Sequence, residues 1–156
     1  MKQTLLLFLL FVSTGSFAQA VHRNYLKSRD ELYNPACGWR DSLTAAEVTA
    51  SMRKVDTSRI RRNIDLYYTD LAMVEYQLYA HTMDTAILRS AANHSVIAVR
   101  HNPKSGSGLW SAASNFQRLG ECDRTNYYLD LYEQRVKEKY RISREQIAIL
   151  RAKCAQ

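Results

Sequence analysis

The sequence predicts an all-α fold built from antiparallel pairs of helices, and three observations carry that reading. Apolar residues recur three or four positions apart over long windows, as one face of a helix requires. Capping residues and turn residues fall where those windows start and stop. No stretch alternates apolar and polar residues as a half-buried strand would, and with five glycines and two prolines in 156 residues little interrupts helix formation.

The first element is read as a leader outside the fold. Lys2, the apolar run Leu5 to Val12, and small residues Ala18 and Ala20 flanking Gln19 form a secretory signal with cleavage after Ala20. The run is much shorter than the roughly 20 residues a bilayer span needs, and no cysteine follows it to carry a lipid. The expected location is therefore periplasmic or secreted. Residues 21–156 then make one all-helical domain, with no later run apolar and long enough to cross a membrane.

A short helix over Tyr25 to Tyr33 is expected to end at Asn34-Pro35, where proline forbids continuation. Cys37-Gly38-Trp39 is a loop, with Trp39 placed to plug an end of the core. A second helix begins near Thr44, where Thr44 and Glu47 have capping-box spacing, and turns Val48 and Met52 inward before Asp56 and Thr57 interrupt it. Thr57 or Ser58 caps the longest helix, running to about Thr82. Its Ile60, Ile64, Tyr67, Leu71, Val74 and Leu78 recur at steps of four, three, four, three and four.

Asp84 or Thr85 caps the next helix, which lines up Leu88, Ala92, Val96 and Val99 until His101-Asn102-Pro103 stops it. Lys104 to Gly108 is a flexible loop by composition. From Leu109 to Tyr140 a helical hairpin follows: Leu109, Ala112, Ala113, Phe116 and Leu119 form one stripe, Gly120 turns the chain, and Tyr128, Leu129, Tyr132, Val136 and Tyr140 form the second. Ser143 and Gln146 then cap a last helix over 143–155 that carries Ile147, Leu150 and Cys154 on one face.

The hairpin over 109–140 resembles a tetratricopeptide repeat, two antiparallel helices in about 34 residues. Leu109 stands where that family prefers tryptophan, Ala112 replaces a leucine, Ala113 takes the small position where the helices cross, and Phe116 takes the aromatic position. Gly120, Glu121, Cys122 and Asp123 resemble the family's turn, whereas Thr125 and Leu129 depart from its usual alanine and aromatic. Residues 58–103 read as a degenerate earlier repeat, Asp84 to Ile87 answering Asp123 to Asn126 at an offset of 39, with the excess over the period supplied by Lys104 to Gly108. The resemblance implies stacked hairpins in a short repeat array, closed by the last helix as a cap.

Two repeats are fewer than a solenoid usually needs, so a crosslink or self-association as a homo-oligomer is expected to assist. Three cysteines in an exported chain allow one disulfide with one left over. The helix after Cys122 travels about 17 residues, roughly 25 Å, and the last helix returns Cys154 toward the same end. Cys122 with Cys154 is the expected pair; Cys37 with Cys154 and three free thiols are the alternatives, and a leftover Cys37 is available for pairing between chains.

No arrangement of residues identifies a reaction. His22, His81, His94 and His101 are scattered, without metal-ligand spacing to cysteines or carboxylates, so no metal or cofactor is called for. Asn93-His94-Ser95 has the form of a glycosylation acceptor but lies inside a helix, and Lys104 with Gly106-Ser107-Gly108 lacks the order of a phosphate-binding loop and reads as a linker.

Lysine and arginine number 22 against 15 acidic residues, for a net charge of +7 that drops by one with Lys2. That balance permits anionic partners without demanding any, and nucleic acid is disfavoured. The densest basic group, Arg53, Lys54, Arg59, Arg61 and Arg62, surrounds an expected helix start, where the macrodipole is already positive and an anionic partner would relieve it. Asp56 and Asp65 are the local counterions if it is only a solvated face. Ten tyrosines are too many for the interior, and those left outside suit a protein-binding groove. Candidate partner-binding residues are Arg59, Arg61, Arg62, Tyr68, Tyr76 and Tyr127. The expected function is a non-enzymatic adaptor for a protein or peptide in the cell envelope; the alternative is a small inhibitor or immunity-type protein that neutralises an envelope enzyme.

Overall fold

A computed structural model of the chain describes residues 23–27, 29 and 42–155. The leader, the Asn34-Pro35 stop, Trp39 and Cys37 lie outside the described residues, as does most of the helix expected over Tyr25 to Tyr33, of which Tyr25–Lys27 forms a 3₁₀ turn. Six α-helices follow: α1 (Ser42–Arg53), α2 (Ile64–Thr82), α3 (Thr85–His101), α4 (Gly106–Arg118), α5 (Cys122–Arg135) and α6 (Arg144–Ala152). The described residues are all-α, without strands, and each helix packs on the next in order, with α2 also touching α4.

The local chemistry of the boundaries explains most of this order. Asp84 caps α3 by accepting the Ala86 N–H at 2.8 Å, and Ser143 caps α6 by accepting the Gln146 N–H at 3.3 Å. Between α4 and α5, Gly120 sits at φ 73° while the Glu121 N–H donates to the Phe116 carbonyl and the Gly120 N–H to Gln117. This is a Schellman ending, in which the left-handed residue favours glycine.

The starts of three helices differ from the sequence reading. Helix α1 begins at Ser42, two residues before the Thr44–Glu47 spacing, a difference of the size helix ends ordinarily show. Helix α2 begins at Ile64 instead of Ser58. Asp56 caps only a 3₁₀ turn at Thr57–Arg59, and the Arg61 and Arg62 N–H groups donate to the Arg23 carbonyl at 2.7 and 3.0 Å. Asn63 then takes a left-handed conformation and donates its side-chain amide to Asn24 at 2.7 Å. The amino-terminal segment thus captures backbone groups that helix would have used, while Ile60 stays buried in the stripe the spacing identified.

The third difference is the expected Lys104 to Gly108 loop, which shrinks to a turn. Ser105 caps α4 by accepting the Gly108 N–H at 3.3 Å, so both glycines are helical. A Cβ on Gly108 would lie 3.2 Å from Ser105 Oγ, a close approach that favours glycine, whereas one on Gly106 would sit at an ordinary van der Waals distance, 3.4 Å, from Val136.

Two cores result. Tyr25, Met52, Val55, Ile60, Tyr67, Leu71 and Val74 form the first. The second gathers Ala92 and Val99 of α3, Leu109, Ala112, Ala113 and Phe116 of α4, Leu129 and Tyr132 of α5, and Ile147 and Leu150 of α6. Cys122 and Cys154 are bonded, with Cα atoms 5.3 Å apart, and Arg151 adds ion pairs to Asp130 and Glu133, so α6 is held at both side-chain and covalent level. No described helix is long and apolar enough to cross a membrane. Tyr140, expected on the inner stripe, is 68 % exposed, because α5 ends at Arg135 and a separate turn over Glu138–Tyr140 redirects the chain.

Candidate functional site

Helix α4 has two working faces. Leu109, Ala112, Ala113 and Phe116 point into the core, and the opposite stripe of Ser107, Trp110, Ser111, Ser114 and Arg118 lines open space. At its amino-terminal end lies a cleft of about 650 Å³, lined by Lys104, Gly106, Ser107, Trp110, Tyr132, Arg135, Val136, Lys137, Tyr140 and Ile142. At its carboxyl-terminal end a groove of about 240 Å³ runs between α4 and α2, lined by Thr69, Met73, Tyr76, Ser107, Trp110, Ser111, Ser114, Asn115 and Arg118. Ser107 and Trp110 belong to both.

The walls of the cleft are held by packing and hydrogen bonds. Trp110 leans on Tyr132 with ring centroids 5.9 Å apart, and the buried Tyr132 hydroxyl accepts the Ile142 N–H at 2.8 Å. Arg141 donates from Nε to the Val136 carbonyl at 2.6 Å, so the chain after α5 is pinned beside the opening. The lining includes three cations, Lys104, Arg135 and Lys137, and no carboxylate. Lys139 Nζ lies 4.7 Å from the Tyr140 ring. In the groove, the Arg118 guanidinium sits 4.4 Å over the Tyr76 ring while Nη1 donates to the Ser114 carbonyl.

A second polar group is interior. The fully buried Glu75 accepts hydrogen bonds from Arg53 Nε and from the Ser90 hydroxyl at 2.9 and 3.0 Å, and His94 Nδ1 lies 2.7 Å from its other oxygen. Because a carboxylate can only accept, His94 Nδ1 carries the hydrogen. Burial acts to raise the Glu75 carboxyl, but the bonds from His94 and Arg53 outweigh it and hold the group below the usual carboxylate range. Asp70 is similarly buried and accepts from the Tyr25 hydroxyl and from two nitrogens of Arg29 at 2.6 and 2.9 Å. Among the described residues no buried side-chain nitrogen or oxygen lacks a partner, and these two carboxylates tie neighbouring segments together.

The structure separates the candidates that the sequence grouped. Arg59 is exposed and pairs with Asp56 at 3.2 Å; Arg61 and Arg62 are exposed and line neither opening. Arg53 turns inward to Glu75, and Asp65, the other expected counterion, accepts from Asn102 instead. Tyr68 is half-buried and stacks on His94 and His101. Tyr127 is 57 % exposed, edge-on to Tyr128. Of the six, Tyr76 alone reaches the groove.

Sequence reasoning missed Lys104, Trp110, Arg135 and Lys137. The sequence reading puts Lys104 in a linker, Trp110 is one position off the core stripe, Arg135 ends α5 and Lys137 follows it. A lone tryptophan on the polar side of an amphipathic helix was the signal available. No group of three or more His, Cys, Asp or Glu among the described residues is placed to hold a metal ion. Comparison of the chain with protein-family models, with curated proteins and with solved structures finds no match in any of the three.

Proposed function

We propose that this chain is an exported, non-enzymatic protein–protein interaction module, a TPR-like adaptor that holds a segment of a partner protein in the cell envelope. The observation that carries the reading is the continuity of cleft and groove along the outer face of α4, joined at Ser107 and Trp110. Together they offer a partner an open, partly aromatic track, the setting in which tryptophan and arginine contribute most to association.

Stacked hairpins are supported by the order of contacts. Phe116 meets Tyr128 beside the turn, Trp110 meets Tyr132 further along, and Gly106 approaches Val136 at the far end. Glu75 meets Ser90 and His94, and Asp65 meets Asn102, in the same reversed order for α2 and α3. Export is supported by the leader-like composition of residues 1–20 and by a disulfide, which persists in oxidising compartments.

The test is affinity capture from the exported fraction with the wild-type mature chain and with Trp110→Ala. A partner that belongs to an envelope assembly, retained by the wild type and lost on Trp110→Ala, is the expected result. A single envelope enzyme captured stoichiometrically and silenced would move the protein to the inhibitor class. Turnover of a substrate by the chain itself would end the adaptor reading.

A further inference from the structure

We infer that the track along α4 takes an extended, acidic-ended peptide: a segment of about six residues with a carboxylate at each end and apolar side chains between. The inference rests on the adaptor reading and names the chemistry of its partner segment. Its ground is charge placement. Elsewhere in this half of the molecule four arginines are matched by carboxylates within the chain: Arg89 and Arg124 pair with Glu121, Arg144 with Glu138, and Arg151 with Asp130 and Glu133. Among the described residues, Lys104, Arg135 and Lys137 pair with no carboxylate, and all three converge on one cleft. Like charges gathered at an opening with low-dielectric walls focus a positive potential into it.

Length and the second cation set the spacing. From Gly106 to Arg118 helix α4 rises about 18 Å, at about 1.5 Å per residue. An extended peptide advancing about 3.3 Å per residue covers that in about six residues. One end then lies among the three cations and the other at Arg118, which stays exposed although it rests on Tyr76. The centre crosses Trp110, where an aromatic or aliphatic side chain has a surface to bury against.

Fluorescence anisotropy of the disulfide-bonded mature chain with a labelled, end-blocked six-residue peptide, aspartate at both ends and leucine and phenylalanine between, tests this directly. Binding is expected to weaken at least about tenfold when Lys104→Glu, Arg135→Glu and Lys137→Glu are combined, and about threefold for Arg118→Glu, since single exposed pairs contribute little. Raising the salt concentration should erase much of the difference. A peptide with one aspartate should bind between the two-ended peptide and its lysine-ended counterpart. Should the triple reversal disturb folding by circular dichroism, the Lys104→Gln, Arg135→Gln, Lys137→Gln chain should show the same order with a smaller loss. Equal binding of aspartate- and lysine-ended peptides, no response to these variants, no peptide binding at all, or stronger binding to anionic phospholipid vesicles overturns the inference. The adaptor reading survives those results if the captured partner is still lost on Trp110→Ala.

Discussion

The core around Tyr25, Met52, Tyr67 and Leu71 and the core around Leu109, Phe116, Leu129 and Tyr132 hold their helices by different means. Beside the first, two buried carboxylates do much of the joining: Asp70 ties the amino-terminal segment to α2, and Glu75 ties α1 and α3 to it. The second has no buried carboxylate among its members and relies on small residues, aromatic stacking and the Cys122–Cys154 bond. Buried ion pairs are direction-specific but costly to break, whereas apolar contact and a crosslink respond to cavities and to reductant. One half should therefore answer to pH and the other to redox conditions.

The largest effect should come from Phe116→Ala. Its ring is fully buried, stacks on Tyr128 at 5.6 Å and lies under the Arg124 guanidinium at 3.7 Å, so truncation should lower unfolding free energy by about 3–5 kcal/mol in urea titration. Next, replacing Cys122 and Cys154 by serine opens a loop with a sequence separation of 32, which chain entropy values at about 3–4 kcal/mol. Hydrogen exchange should quicken in α5 and α6 and change little in α2; uniform quickening would merge the two halves into one unit.

Arg53→Met should cost less, about 1–2 kcal/mol, because Arg53 is 48 % exposed and its pair with Glu75 is screened by water. The same network sets a pH response. The folded Glu75 carboxyl lies below its ordinary 4.5, so its contribution is present above that value and is lost as pH falls through the folded pKa. Glu75→Gln should flatten that acid limb; an unchanged limb would mean that other carboxylates govern it. At high pH, burial holds the phenols of Tyr25 and Tyr67 above their ordinary 10.0, so stability should fall once pH rises past 10. The smallest effect is expected at Arg59→Glu, Arg61→Glu and Arg62→Glu, each within about 0.5 kcal/mol of the wild type as exposed positions. The sequence reading expects this triple reversal to weaken partner binding in a salt-dependent way. Because they line neither the cleft nor the groove, a smaller loss than at Lys104, Arg135 and Lys137 is the expected outcome.

Helix α3 and the end of α4 were readable in advance because their signals are local: Asp84 caps two residues ahead, and Gly120 takes the left-handed turn by itself. The start of α2 was not, since the groups that unwind residues 58–63 belong to Arg23 and Asn24. The candidate site divides the same way. Tyr76 could be named from its surplus on an amphipathic helix. Lys104, Trp110, Arg135 and Lys137 become neighbours only when α5 has folded back beside α4.

By itself, the sequence determined which face of each helix is apolar, where most helices stop, and that Cys122 and Cys154 end on the same side. These follow from periodicity and from backbone groups satisfied within a few residues. Tertiary structure alone decided which charges are buried, since the Glu75 and Asp70 partners come from 15 to 45 residues away. It also decided which cations share an opening, because the electrostatics of a cleft depend on what is adjacent in space.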